Sequence, residues 1–232
     1  MAIYRLSPRP VFPDPRKAEP DGLLAVGGDL SPARLLRAYR SGIFPWYGEE
    51  SPILWWSPPE RAIILPGEER CPRRTLRALR QLDFRVQRDS CFEAVIGHCS
   101  RIPRPGQDGT WITPEMERAY VALHRDGYAH SFEAFRNGEL VGGLYGLSLG
   151  AAFFGESMFS LESYASRAAF AALCRTAWAW DFQFIDGQLP NPNLADLGAR
   201  VVPREAFLAL LASALAAPTR RGPWARAPQA DI

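Results

Sequence analysis

Three polar residues stand in otherwise apolar stretches of the chain, and their types suit polar chemistry at a reacting centre. Glu156 lies within FFGESMF, while Asp186 and Gln188 lie within FQFIDGQ. Side chains on a strand alternate between its two faces, so Asp186 and Gln188 are predicted to share one face. Polar groups in a core are costly unless they are paired or used. We therefore interpret Glu156, Asp186 and Gln188 as the polar centre of a site.

A hairpin and a later strand must position these residues. Residues 139–159 form two apolar runs around Ser148-Leu149-Gly150, which predicts a β-hairpin, and residues 182–188 predict a strand. Apolar stripes and end signals predict helices at residues 32–41, 71–82, 114–125, 163–180 and 204–217. This alternation of strands and helices indicates an α/β (α+β) fold with a mixed sheet flanked by helices.

Proline and glycine suggest how the chain is divided. Residues 1–30 are rich in both and are predicted to be loop-like. Pro66-Gly67 indicates a linker, so we expect a small N-terminal domain at residues 1–66 and a catalytic domain at residues 67–232. The Pro- and Arg-rich tail from Pro218 is predicted to be weakly ordered.

The composition argues against several classes of protein. The chain has 232 residues and a net charge of +2, unlike a globally basic nucleic-acid-binding protein. Its four cysteines lack CxxC spacing and it has three histidines, which disfavours a structural zinc site or a disulfide framework. No run approaches the roughly 20 apolar residues of a membrane helix. The absence of GxxxxGK[ST], and of GxGxxG after a strand, disfavours an ATP or dinucleotide site.

The tryptophans suggest an aromatic surface. Trp46, Trp55 and Trp56 lie close together in a Pro-rich segment. Tryptophan is more often a core residue than a ligand platform, yet three in one such segment predict that at least one lines a cleft. Trp111 lies just before the predicted helix at residues 114–125, where backbone N–H groups point outward.

Two helices carry arginines that have two interpretations. The helix at residues 71–82 has a basic face suited either to phosphate contact or to plain solvation: Arg73, Arg74, Arg77 and Arg80. On the first helix, Arg34, Arg37 and Arg40 are interpreted as a solvated face, with phosphate contact as the alternative.

The motifs of the chain, taken in order, resemble those of the leucyl/phenylalanyl-tRNA–protein transferases. They are GLLAVGGDLSPARLLRAYRSGIFPW, PILWWSP, GTWIT, GYAHSFE, LVGGLYG, FFGESMFS, and an Ile-Asp-x-Gln run followed by LGAR. The resemblance implies an N-acetyltransferase-like fold for the C-terminal domain. It also implies transfer of Leu or Phe, and less well Met, from aminoacyl-tRNA to proteins that begin with Arg or Lys, which are thereby marked for degradation.

By position, the resemblance implies a role for each candidate residue. Trp46 and Trp111 match tryptophans that contact the adenosine at the tRNA 3′ end. The substrate-binding surface for the aminoacyl side chain is implied to include Leu144, Phe153, Gly155, Phe170, Leu173 and Ile185. The catalytic polar centre is implied to be Glu156, Asp186 and Gln188. The tRNA-binding residues are expected to be Arg73, Arg74, Arg77 and Arg80.

The implied substrates suggest a mechanism. An aminoacyl ester is already activated, so we expect no cofactor, ATP or metal. We hypothesise that Gln188 accepts a hydrogen bond from the acceptor amine while Asp186 orients Gln188. Most of the gain in rate should then come from positioning the amine. Glu156 or Asp186 attracts the acceptor's positive side chain, and a structural hydrogen bond is the alternative for Glu156.

The expected partners follow from the same resemblance. They are aminoacyl-tRNA carrying Leu, Phe or Met, and proteins or peptides with N-terminal Arg or Lys. We expect a cytoplasmic monomer that does not contact a membrane. Five positions depart from the residues usual in the family, which predicts an altered acceptor preference: Leu161, Tyr164, Arg167, Gly187 and Asn193.

Two other functions stay open. A small-molecule N-acyltransferase that uses an acyl-CoA is disfavoured, because residues 160–166 contain no glycine for a pyrophosphate-binding turn. A non-catalytic module that binds the tRNA end would need the tryptophans and arginines but not Asp186 and Gln188. A salt titration of tRNA binding and a single-turnover transfer assay separate these possibilities.

Overall fold

The computed structural model describes residues 3–102 and 110–226. In chain order, the helices are α1 (Pro32–Arg40), α2 (Arg73–Gln81), α3 (Phe92–Arg101), α4 (Pro114–Arg125), α5 (Ala165–Ala179), α6 (Pro192–Leu197) and α7 (Arg204–Leu215). The strands are β1 (Tyr4–Arg5), β2 (Leu23–Val26), β3 (Phe44–Pro45), β4 (Leu54–Trp56), β5 (Glu60–Ile64), β6 (Arg85–Arg88), β7 (Ala129–Arg136), β8 (Glu139–Leu149), β9 (Ala152–Ser160), β10 (Phe184–Gln188) and β11 (Arg200–Pro203).

The larger sheet is mixed, as the sequence predicts. In the described part of the chain, its seven strands lie in the order β11-β5-β10-β9-β8-β7-β6, and β9 and β10 are the only neighbouring strands that pair in parallel. Helix α5 packs on one face of β7, β8 and β9, and α3, α4 and α7 pack elsewhere on the sheet. Sequential antiparallel strands joined by tight turns build the centre, and the predicted hairpin at residues 139–159 is confirmed as β8 and β9.

The prediction that residues 1–30 form only loops is wrong. Strands β1 and β2 belong to a second, four-stranded sheet in the order β1-β2-β4-β3. These strands are two to four residues long, too short for alternation to reveal them. Strand β5 joins the larger sheet, so a division at residue 66 separates one strand from its own sheet.

The cleft begins where the two parallel strands separate. Strands β9 and β10 pair at three positions, the last of which joins Phe154 to Asp186. Beyond this pair, Gly155 and Glu156 of β9 and Gly187 and Gln188 of β10 line a cleft. The glycines have no side chain to fill the gap, so the strand ends expose backbone and polar side chains to it.

The described part of the C-terminal tail makes specific contacts with the rest of the protein, contrary to the predicted weak order. Gly150 N–H donates to Thr219 Oγ1 at 2.8 Å, and Trp224 N–H donates to a carboxylate oxygen of Asp89 at 2.7 Å. Trp224 is only 4% exposed. One large aromatic side chain gives the segment enough apolar area to bury, which a Pro- and Arg-rich composition conceals. Residues 227–232 lie outside the described part of the chain.

The solvated face predicted for α1 is wrong at one of its three arginines. Arg34 is fully buried (0% exposed). Its Nη2 donates to the backbone oxygens of Ser7 and Pro8 and to Asp29 at 2.9–3.1 Å, so it ties the N-terminal segment to the helix. Arg37 and Arg40 are exposed, as predicted. No helix in residues 3–102 and 110–226 is both long and apolar enough to span a bilayer.

Candidate active site

A single cleft brings most of the candidate residues together. Its volume is about 670 Å³, and strands β8, β9 and β10, helices α5 and α6, and the N-terminal sheet contribute to its walls. The sequence-predicted residues that line it are Trp46, Trp111, Leu144, Gly155, Glu156, Phe170, Leu173, Ile185, Asp186 and Gln188.

One end of the cleft is apolar. Phe170 and Leu173 lie three residues apart on α5 and therefore project from the same side of the helix. Together with Leu144 of β8 and Ile185 of β10, they belong to one core cluster and form an apolar wall of the cleft. Phe153 does not line the cleft. It is fully buried next to Ile185, its partner in the β9–β10 register, and so lies behind the wall.

Glu156 is the centre of a hydrogen-bond network at the polar end. One carboxylate oxygen accepts from Tyr39 Oη at 2.6 Å and Gln188 Nε2 at 2.9 Å, and the other accepts from Tyr120 Oη at 3.0 Å. The two tyrosine hydroxyls are 2.5 Å apart. Burial raises the pKa of Glu156 to about 7, although the tyrosine hydrogen bonds favour its ionised form. A carboxyl group with such a pKa exchanges its proton near neutrality.

Asp186 is paired with a cation that the sequence analysis did not single out. Arg61 of β5 donates to its two carboxylate oxygens through three hydrogen bonds of 2.7–3.1 Å. Asp186 is 0% and Arg61 1% exposed. The guanidinium lies between the rings of Phe44 and Phe207, with its carbon 4.8 Å and 4.3 Å from their centroids. The charge of Asp186 is therefore compensated inside the protein.

Gln188 connects the two carboxylates in an unexpected way. Its backbone N–H donates to Asp186 Oδ1 at 2.8 Å, while its side-chain amide donates to Glu156. The β5–β10 register shifts between Asp186 and Gln188, and Gln188 has a φ of +61°. This left-handed conformation is uncommon for a residue other than glycine. Asp186 thus holds the backbone of Gln188, and Glu156, rather than Asp186, orients its amide.

The tryptophans divide between the cleft and the core. Trp46 lines the cleft and is 37% exposed, and its ring meets Trp56 edge-on at 5.8 Å. Trp55 is fully buried and donates its indole N–H to Gly27 O at 2.8 Å. Trp111 is half-buried and lines the cleft just before α4. The prediction that at least one tryptophan of the Pro-rich segment lines a cleft is therefore confirmed.

The four arginines of α2 lie away from the cleft. The residues Arg73, Arg74, Arg77 and Arg80 do not line it, and all four are exposed. The opposite side of α2 packs through Leu79 on a core cluster that includes Ala165 and Ala168 of α5. The basic face is thus free to meet a ligand outside the cleft.

Two of the five unusual positions lie in the cleft. Asn193 lines it and directs its amide towards Met158 Sδ at 3.7 Å. Gly187 leaves room for Leu194, since a Cβ there would lie 2.7 Å from Leu194 Cδ1. The others lie outside the cleft lining: Leu161, Tyr164 and Arg167.

The most informative residues missed by sequence reasoning are the partners of the carboxylates. The helical period places Tyr39 and Tyr120 on apolar stripes, and the strand pattern places Arg61 at the start of a strand. A useful signal is the polar tip of a tyrosine on a buried stripe, because a buried hydroxyl needs a partner. Among the described residues, no group of three or more His, Cys, Asp or Glu could hold a metal.

Comparisons with known proteins agree with the motifs. The model of the leucyl/phenylalanyl-tRNA protein transferase family matches residues 63–212, and the model of its N-terminal domain matches residues 28–59. A leucyl/phenylalanyl-tRNA–protein transferase of Anaeromyxobacter sp. (strain Fw109-5) is 56% identical over 97% of this chain and 95% of its own length. Its counterpart in Myxococcus xanthus (strain DK1622) is 51% identical over the whole of both chains.

Comparison with solved structures gives a distant likeness. The structure of L-PGS from Bacillus licheniformis is 11% identical, with a TM-score of 0.42, over 84% of this chain and 71% of that one. Family membership therefore rests on the sequence relatives and the family models. The chain belongs to the leucyl/phenylalanyl-tRNA–protein transferase family, aminoacyltransferases that move an amino acid from aminoacyl-tRNA to a protein.

Proposed function

We propose that this enzyme transfers Leu and Phe, and less well Met, to the α-amine of proteins that begin with Arg or Lys. The transfer forms a peptide bond and marks the acceptor for degradation in the cytoplasm. The observation that carries the proposal is one cleft with two unlike ends. An apolar wall of Leu144, Phe170, Leu173 and Ile185 lies beside the polar group of Glu156 and Gln188.

The apolar end suits an unbranched or γ-branched side chain. Its four wall residues offer only carbon atoms, so the aminoacyl side chain is bound by burial of apolar area. Discrimination of one methylene in such a pocket is worth only about 1–3 kcal/mol. We therefore expect the preference for Leu and Phe over other apolar side chains to be graded and not absolute. The tRNA 3′ adenosine stacks on Trp46 or Trp111, where each stacked base contributes about 1–3 kcal/mol.

Glu156 is the better candidate for attracting the basic acceptor. Asp186 is fully buried and its charge is already compensated by Arg61. Glu156 lines the cleft, and its hydrogen-bond partners are neutral tyrosine and glutamine groups. A cationic side chain that enters the cleft favours the ionised form of Glu156 and is attracted by it. We therefore assign the acceptor preference to Glu156.

Gln188 is proposed to position the attacking amine. Since its Nε2 donates to Glu156, its amide oxygen is directed to the other side, where it accepts a hydrogen bond from the acceptor amine. An amide oxygen is too weak a base to remove the proton, so the contribution is orientation. The amine nitrogen forms a bond to the ester carbonyl, the bond to the 3′ oxygen breaks, and the proton lost by nitrogen is gained by that oxygen. Glu156, with its pKa near 7, can hold this proton between the two steps.

The fold and the basic helix complete the proposal. The C-terminal domain is proposed to be N-acetyltransferase-like, which is supported by a mixed sheet whose parallel neighbours β9 and β10 separate at the cleft. The arginines of α2 are proposed to contact tRNA phosphates. The proposed fold and the proposed phosphate contacts both agree with a large nucleic-acid substrate of which only the end enters the cleft.

Acceptor peptides that differ only in their first residue test the proposal. Phe transfer from Phe-tRNA is measured to peptides beginning with Arg, Lys, Asp or Glu. We expect Arg and Lys to be preferred by the wild type, and Glu156→Gln to reduce that preference. Indistinguishable rates for all four peptides would argue against a basic acceptor site.

A further inference from the structure

The C-terminal segment after α7 forms hydrogen bonds with the rest of the protein, beginning at the turn that joins β8 to β9. Thr219 Oγ1 accepts from the backbone N–H of Gly150 at 2.8 Å, and Arg221 Nη2 donates to the backbone oxygen of Asp126 at 2.8 Å. Asp89 then accepts the N–H of Trp224 at 2.7 Å. These contacts fix the path of the segment up to the point where Trp224 enters the protein.

Trp224 packs against several aromatic side chains. It stacks on His130 with centroids 3.7 Å apart and an interplanar angle of 7°. Trp180 meets it edge-on at 4.9 Å, and Phe132, Phe153 and Phe182 lie at 6.1 Å. Its indole N–H donates to the backbone oxygen of Arg220 at 3.3 Å. The side chain is therefore a packed component of the core.

Phe153 connects Trp224 to the cleft. On one side its ring contacts Trp224, and on the other it is the register partner of Ile185. The ring also covers Gly146, where a Cβ would lie 2.6 Å from it, two residues along β8 from Leu144. Ile185 and Leu144 line the cleft, whereas Phe153 does not. The order from the cleft outwards is thus the apolar wall, Phe153 and Trp224.

We propose that Trp224, through Phe153, sets the depth of the aminoacyl pocket and so its preference among apolar side chains. This proposal rests on the function proposed above. Protein cores are close-packed, so a wall residue can recede only if the space behind it is empty. Trp224 fills that space. It does not line the cleft and therefore acts as a positioning residue for specificity.

The test compares side-chain preference rather than total activity. Trp224→Leu removes several ring atoms and lets Phe153 move away from the cleft. We measure kcat/KM for transfer of Leu, Phe and Trp from their tRNAs to one peptide that begins with Arg. We expect the Phe/Leu ratio, and the Trp/Leu ratio still more, to rise by about three- to tenfold, in line with the selectivity of apolar pockets.

Two further variants separate this role from a structural one. Phe84→Leu, in the core cluster beneath α2 and away from the cleft, should lower the melting temperature without changing the ratios. Trp224→Phe keeps one aromatic ring, so it should shift the ratios in the same direction as Trp224→Leu but by a smaller factor. If Trp224→Leu does not fold, the ratios of Trp224→Phe decide, with a smaller shift in the same direction expected.

Unchanged ratios in a folded Trp224 variant would overturn the proposal, whether the rates fall together or not at all. Failure of the wild type to transfer Leu or Phe would instead overturn the proposed function. The two failures are therefore distinguishable in one set of measurements.

Discussion

Arg61 and Asp186 form a buried, bidentate ion pair beneath the cleft, with hydrogen bonds of 2.7–3.1 Å. The pair joins β5 to β10, and Asp186 in turn accepts the backbone N–H of Gln188. Two charges removed from water must compensate each other, because an isolated buried charge is strongly destabilising. The function of this pair is to hold the strand end that carries Gln188.

Loss of either partner should therefore destabilise the protein. In Arg61→Met, the carboxylate of Asp186 stays buried without its cation, and we expect the free energy of unfolding to fall by about 3–5 kcal/mol. Urea denaturation measures this quantity. Arg16→Met is the matched control, because Arg16 and Glu205 form an ion pair that is more than half exposed and should contribute little. Equal losses in the two variants would contradict the assignment.

The transfer rate should depend on the ionisation of Glu156. Its pKa is raised to about 7, so the rate should rise as pH increases through 7 and the carboxylate forms. The acceptor α-amine, with an ordinary pKa of about 7.7–8.0, adds a second rise. In Glu156→Gln, only the rise in rate that is due to the acceptor amine should persist. Single-turnover rates from about pH 5 to about pH 9 test this, and a Glu156→Gln profile that keeps both inflections would rule it out.

The same carboxyl group predicts a change of stability with pH. The raised folded-state pKa means that the native protein keeps a proton that the unfolded chain has released above its ordinary value of 4.5. The stabilisation is therefore present at low pH and is lost as pH rises from 4.5 to about 7. Glu156→Gln should remove this loss. Urea denaturation of both proteins at the two ends of this range measures the difference, and parallel stability curves would be the contrary result.

The two tyrosines should set where Glu156 titrates. Their hydroxyls stabilise the ionised carboxylate, so Tyr39→Phe or Tyr120→Phe should raise its pKa further and move the lower inflection of the rate profile to higher pH. A hydrogen bond to a charged group is worth about 1.5–3 kcal/mol, which corresponds to about one pH unit or more. Tyr128→Phe, outside the cleft lining, is the control. An inflection that stays in place would show that the hydroxyls do not tune the carboxyl group.

The arginines of α2 should contribute to tRNA binding through phosphates. Replacement of Arg77 and Arg80 by Gln should weaken binding and reduce the slope of log K against log salt by about 0.7–0.9 for each phosphate that is no longer bound. Arg125→Gln is the control, since this exposed arginine at the end of α4 is paired with Glu93. The result against the proposal is an identical slope in all three proteins.

Much of the polar centre could be predicted because polar residues in apolar strands are rare. Glu156, Asp186 and Gln188 are conspicuous for this reason, and the structure brings them to one cleft. Arg61 could not be assigned, because its partner lies on a strand far along the chain and only the sheet order joins them. Tyr39 and Tyr120 follow the helical period of core residues, and that period does not reveal what a hydroxyl contacts.

The errors at the two ends of the chain have a common physical cause. The composition of a short segment indicates how well the segment is solvated on average. Individual contacts, however, decide whether a given side chain is buried. Arg34 is buried because three oxygens accept from its guanidinium, and Trp224 orders the tail because its ring fills a space in the core. Neither effect has a periodic signal in the sequence.

The most direct test is the single-turnover rate of peptide-bond formation by Gln188→Ala, from Phe-tRNA to a peptide that begins with Arg. Phe-tRNA binding is measured in parallel, to separate positioning from affinity. If Gln188 orients the acceptor amine, the rate should fall by about 100-fold while Phe-tRNA binding is nearly unchanged. A near-normal rate would contradict the central claim that the Glu156–Gln188 pair aims the amine at the ester.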